Sequence, residues 1–148
     1  MTIAEQLMQD MKASMIAGDS SRTGVLRLLR GSVKNDEIKL GHELSDPEVF
    51  KVLQREAKQR RDSIEAYRTA GRADLLAIEE TELKIISGYL PEAMSSEELA
   101  SVVDRTVIHL GATDLKQIGQ VMGAVMKQVG ARADGGAVSA AVRQRLST

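Results

Sequence analysis

The fold class this sequence predicts is all-α, a four-helix N-terminal domain followed by a three-helix C-terminal bundle. Three observations carry that prediction. Apolar residues recur at three- and four-residue intervals through most of the chain. Glycines and cap-forming Ser, Thr or Asp residues punctuate these runs. No segment alternates apolar and polar residues in the manner of a half-buried strand.

The elements follow in order. The first helix opens at Thr2, with Glu5 three residues on as in a capping box. It carries Ile3, Leu7, Met8, Met11 and Met15 on one face and is expected to end at Gly18. Ser20 or Ser21 can cap the second helix, in which Leu26, Leu29, Val33 and Leu40 are expected to face inward before Gly41 closes it. Ser45-Asp46-Pro47-Glu48 offers the third helix a cap, a first-turn proline and a carboxylate at the positive end of the helix dipole. That helix runs to about Ala70 and stops at Gly71. Asp74 can cap the fourth, with Leu75, Ile78, Ile85 and Ile86 apolar, and the chain leaves the helix near Gly88-Tyr89-Leu90-Pro91 because proline disfavours a helical residue before it.

Past Pro91 the pattern resets. Ser95 with Glu98 opens a helix through His109, Asp114 opens the next, and Asp134 opens the last through Leu146. The boundary falls near Leu90 to Met94, which divides the chain into residues 1–91 and 92–148.

Composition narrows the function. The chain has 148 residues, is 43% hydrophobic and has a formal net charge of -1, so any electrostatic surface must be local. Absence of cysteine rules out thiolate chemistry and cysteine metal sites, and His42 and His109 stand too far apart for a zinc pattern. No phosphate-binding glycine loop, nucleophile elbow or zinc-binding histidine pair is present, and neither a cofactor nor a metal is expected. Glu79, Glu80 and Glu82 form an acidic run that needs only solvent. The N-terminal segment reads as an amphipathic helix rather than a signal peptide, and no apolar run reaches the roughly 18 residues of a membrane span. A soluble cytoplasmic protein is the expectation.

Two helices carry candidate contact surfaces. On the third, Val49, Leu53, Ala57, Ile64 and Tyr67 form one stripe, while Lys51, Arg55, Lys58, Arg61, Arg68 and Arg72 gather on the far side. That basic side is either a solvated face, paired with Asp62 and Glu65, or a surface that follows a phosphate backbone. Arg60 falls on the apolar stripe and needs a carboxylate, for which Glu56 is placed one turn away.

The second surface lies on the sixth helix, where Leu115, Ile118, Met122, Val125 and Val129 form the apolar stripe. Gly119 and Gly123 sit inside this helix, each costing roughly 1 kcal/mol relative to alanine. Either another helix packs closely against them, or they leave a flat ledge of backbone edged by Lys116, Gln120 and Lys127. Beyond it, Asp134 can cap the last helix, Gly135 keeps that turn slim, and Arg132 is left to reach solvent, an ion pair or a phosphate.

The run G-Q-V-M-G-A-V-M from Gly119 to Met126, followed by Arg132-Ala133-Asp134-Gly135, resembles the YqeY family and the tail domain of GatB, a subunit of the tRNA-dependent amidotransferase. Gln9-Asp10-Met11-Lys12, Lys34-Asn35-Asp36-Glu37-Ile38, Lys58-Gln59-Arg60-Arg61-Asp62-Ser63 and Tyr89-Leu90-Pro91 extend the likeness over nearly the whole chain. The resemblance implies an all-helical protein whose partner is tRNA, or an amidotransferase or aminoacyl-tRNA complex. It implies contact residues at Lys116, Gly119, Gly123, Lys127, Arg132, Asp134 and Gly135, beside Lys58, Arg61 and Arg68 from the basic helix. It also brings a family label of carbon-nitrogen ligase with glutamine as amide donor. The catalytic cradle of GatB has no counterpart in this sequence, and positioning rather than bond making is the expected role. A helical adaptor that touches protein and no RNA is the alternative.

Overall fold

The computed structural model describes residues 1–147. Among them are seven α-helices and two short 3-10 turns, with no strand, so the chain is all-helical. The helices are α1 (Ile3–Ala17), α2 (Ser20–Leu40), α3 (Asp46–Thr69), α4 (Ala73–Ser87), α5 (Ser96–Leu110), α6 (Ile118–Val129) and α7 (Gly135–Leu146). The chain divides into two compact units, Met1–Pro91 and Glu92–Thr148.

Local sequence accounts for most helix ends. Thr2 with Glu5 and Ser45 with Glu48 both form complete capping boxes, each satisfying backbone donors that the first helical turn leaves free. Ser95 accepts the Glu98 amide and Asp134 the Ala137 amide. Gly18, Gly41 and Gly111 end their helices in the left-handed conformation, which glycine adopts without a Cβ clash. Three caps differ from expectation. Asp114 caps the 3-10 turn Leu115–Gln117, and α6 begins only at Ile118. Asp19, not Ser20 or Ser21, caps α2 by accepting the Arg22 amide, and Asp74 lies inside the first turn of α4, where it pairs with Arg72 at 3.2 Å.

In the first unit α1 lies along α2 and α3 along α4. Leu7, Leu26, Leu29, Val49, Leu53, Ala57 and Ile86 are wholly buried in their shared core. Four residues expected inside are exposed: Met8, Met15, Leu40 and Ile78. Leu40 is the last residue of α2, and Met15 lies in the last turn of α1, where little remains to pack against. Met8 and Ile78 were misplaced because the direction of the neighbouring helices, rather than periodicity, sets which edge of an apolar stripe is covered.

Polar contacts join these helices over long sequence distances. The Tyr89 hydroxyl donates to Asp10 Oδ2 at 2.5 Å and accepts from Arg22 Nη2 at 3.2 Å, while Gln6 Nε2 holds the other Asp10 oxygen at 2.8 Å. Burial and the adjoining Asp10 carboxylate raise the Tyr89 pKa well above the ordinary phenol value. Asp10 and Tyr89-Leu90-Pro91, both among the family-like motifs, thus tie α1 and α2 to the end of α4.

In the second unit Val103, Val121, Val125, Val138 and Val142 form the centre of a separate core. Leu115, expected on that stripe, is exposed and Val121 takes the buried place. The cause is the 3-10 turn over Leu115–Gln117, whose tighter winding rotates Leu115 away from the α6 stripe.

Candidate functional site

On α6 the close-packing reading of the glycines fails. A Cβ built at Gly119 or Gly123 would meet nothing within 4 Å, and both residues are exposed. Neither has a positive φ, so backbone geometry does not require glycine either. Lys116, Gly119, Gly123 and Lys127 follow one another at three- and four-residue steps along the exposed side of this segment, with Gln120 beside them. Both lysines are exposed, and neither has a carboxylate partner among the described residues. The result is an open, weakly charged strip of backbone.

Arg132 is less available than the sequence suggests. Its Nη2 pairs with Glu98 Oε2 at 2.9 Å, its Nε donates to the Glu92 carbonyl at 3.2 Å, and its own carbonyl accepts the Met94 amide at 2.7 Å. These bonds fasten residues 92–98 to the turn before α7. Asp134 caps α7 as expected. Gly135 is not what keeps that turn slim, since a Cβ there would meet nothing, whereas at Gly136 it would stand 3.2 Å from Asp134 Oδ1.

On α3 the basic side is exposed, as its periodicity predicts: Lys51, Arg55, Lys58, Arg61 and Arg68 all face solvent, whereas Arg72, expected with them, is exposed beyond the helix end, just before α4. Its charge is largely neutralised. Arg55 holds Asp36 of α2 through two hydrogen bonds of 3.1 and 3.2 Å, which lowers the Asp36 pKa. Arg68 pairs with Glu65 and Arg72 with Asp74, and Arg61 is also engaged. Lys58 is the member of the proposed trio on this helix that extends without such a bond.

Arg60 takes the structural role its position demands. Only 7% exposed, it binds Glu56 Oε2 at 2.5 Å and Glu82 Oε2 at 3.0 Å, and Ser32 supplies a hydrogen bond of 2.7 Å to the other Glu56 oxygen. The acidic run on α4 therefore needs more than solvent: Glu82 closes this network, and burial together with the Glu82 charge raises the Glu79 pKa. Sequence spacing pointed to Glu56. Glu82 lies 22 residues away on another helix, where no local pattern signals it. No group of His, Asp or Glu among the described residues could hold a metal ion, and no helix among them is long and apolar enough to cross a membrane.

The chain is all-helical, with its family-like motifs spread through both units, and comparison with known proteins gives its family. The chain belongs to the YqeY family, whose model, described as Yqey-like protein, matches residues 4–146. Among curated relatives, altered inheritance of mitochondria protein 41, mitochondrial, from Lachancea thermotolerans is 36% identical over 112 residues, covering 75% of this chain and 58% of that protein. The protein of the same name from Clavispora lusitaniae is 32% identical over 130 residues, covering 86% and 74% of the two chains. This chain spans 58% and 60% of the length of the Lachancea and Eremothecium relatives it matches. The expectation of a cytoplasmic protein is corrected by these names, which are those of mitochondrial proteins. Charge and hydropathy, from which that expectation came, separate membrane from water and carry no address.

Proposed function

We propose that this protein is an accessory binding module of the GatB/YqeY type that contacts tRNA, or a complex bearing tRNA, through the exposed strip on α6. The open backbone at Gly119 and Gly123, flanked by Lys116 and Lys127, carries this reading. Alanine would fit at both glycines, Gly119 in the first turn of α6 and Gly123 within the helix, and would favour the helix, so their use in this reading lies outside the fold. A sugar-phosphate backbone can lie against such a strip, with the lysines supplying charge and the glycines close approach. In this reading the four-helix part, 1–91, and the three-helix part, 92–148, act as separate domains, and the second makes the principal contact. Lys58 on α3 is a secondary contact, and Arg132 positions the turn beside the strip.

Fluorescence anisotropy with a tRNA pool and a length-matched unstructured RNA, at low and near-physiological salt, tests the reading. Preference for tRNA that persists at higher salt, and is lost when Lys116 and Lys127 are replaced by glutamine, supports it. Equal binding of both RNAs that vanishes with salt is nonspecific electrostatics and refutes it.

A second reading, an adaptor that docks on protein without touching RNA, draws on Met8 and Met15, which are 40% and 53% exposed on α1. Flexible methionines on a surface suit adaptable protein contacts. A pull-down of an amidotransferase complex that survives nuclease treatment favours this reading.

A further inference from the structure

A groove of about 590 Å³ in the first unit runs between the start of α1 and the middle of α2. Its floor is apolar: Leu7 and Val33 are buried there, with Met8 and Leu44 partly open to solvent. Its α2 wall carries Arg27, Arg30 and Lys34, which follow one another at three- and four-residue steps and so share a face. None of the three is paired with a carboxylate among the described residues, in contrast to the arginines of α3. Arg30 reaches only the Met11 sulfur, at 3.6 Å. Gly31, at the centre of this wall, leaves open space where a Cβ would stand.

The carboxylates lining the groove stand outside this stripe or at its end, Glu37 lying in the last turn of α2. Glu5 binds the Thr2 amide at 2.8 Å and Glu37 the Leu44 amide at 3.3 Å, while Glu43 stands in the connection to α3. We propose that this groove docks an amphipathic helix of a protein partner, with apolar residues on Met8 and Leu44 above the buried Leu7 and Val33, and acidic residues against Arg27, Arg30 and Lys34. An apolar floor with one cationic wall matches the apolar face and acidic flank of such a helix. A nucleic acid fits less well, because a phosphate backbone would leave Met8 and Leu44 without apolar contact. The inference gives the adaptor reading its surface and partner chemistry, and it holds whether or not α6 contacts RNA.

Selection of a displayed random-peptide library against the full chain tests it. The double variant Arg27→Gln/Lys34→Gln and the variant Met8→Gln, each checked for unchanged helicity by circular dichroism, serve as counter-targets. All three side chains are exposed, so the fold is expected to survive. Enriched peptides should carry apolar residues at helical spacing flanked by Asp or Glu. They should lose at least tenfold in affinity on both variants and retain it on Lys116→Gln/Lys127→Gln. A basic or unpatterned consensus, binding indifferent to the groove variants, or displacement by tRNA but not by excess unlabelled peptide would overturn the proposal. tRNA binding that survives Lys116→Gln/Lys127→Gln, with peptide binding intact, would defeat the α6 reading alone.

Discussion

Helices α3 and α6 offer two opposite kinds of surface. α3 bears five exposed cations, yet Arg55 and Arg68 are tied to carboxylates, Arg61 is also engaged, and Arg60 is drawn inward by two glutamates. Around α6 stand Lys116 and Lys127, unpaired, beside two glycines that nothing among the described residues covers. The difference teaches that availability, not number, qualifies a charge for binding. An arginine already paired must break that contact before it can neutralise a phosphate, whereas an exposed lysine has only water to displace.

The largest expected effect probes the inward half of α3. Arg60→Ala leaves Glu56 and Glu82 facing each other without their cation, and breaking a buried pair this way costs about 3–5 kcal/mol. Urea denaturation should show a midpoint shift of that size. A loss below about 1 kcal/mol would mean that α3 and α6 are not so different, with even the Arg60 contacts solvent-screened.

The next effect has the opposite sign. Gly119→Ala and Gly123→Ala should each stabilise the protein by roughly 0.5–1 kcal/mol, because the new methyl group has room and the helix gains propensity. RNA affinity should fall in the same variants. Stability and affinity rising together would remove the functional account of the glycines.

Tyr89→Phe should cost about 1 kcal/mol through the lost bonds to Asp10 and Arg22. A pH series adds a sign. The folded-state pKa of Tyr89 is raised, so above the unfolded phenol value of about 10 the unfolded state releases its proton first. Its stabilisation is therefore complete below about pH 10 and declines as pH rises further. The wild-type chain should lose more stability there than Tyr89→Phe, and parallel curves would place this hydroxyl in an ordinary aqueous setting.

Smallest in stability terms is Lys116→Gln/Lys127→Gln, which should move the unfolding midpoint by less than about 0.5 kcal/mol. It should flatten the salt dependence of RNA affinity by about one to two released counterions. An equal flattening from Arg55→Gln/Arg68→Gln would erase the distinction between the two helices.

Much of the fold was legible because its signals are local. Thr2 with Glu5, Ser45 with Glu48, Ser95 and Asp134 each act within three residues of their own position, and the left-handed glycines end helices through their own backbone. Leu115 escaped because a short 3-10 turn broke the wheel on which it was placed. The Arg60–Glu82 bond spans 22 residues and the Tyr89–Asp10 bond 79, distances over which periodicity carries no information. The unpaired wall formed by Arg27, Arg30 and Lys34 was missed for a related reason, since its partners' absence is visible only after every neighbouring carboxylate has been placed.

By itself, then, the sequence determined the helical class, the helix boundaries apart from three caps, most of the apolar positions and the YqeY kinship. Only the tertiary structure decided which cations are spent on internal partners and which glycines face open space. Caps and periodicity arise from neighbours one helical turn apart, while pairing and exposure depend on which helices the fold brings alongside.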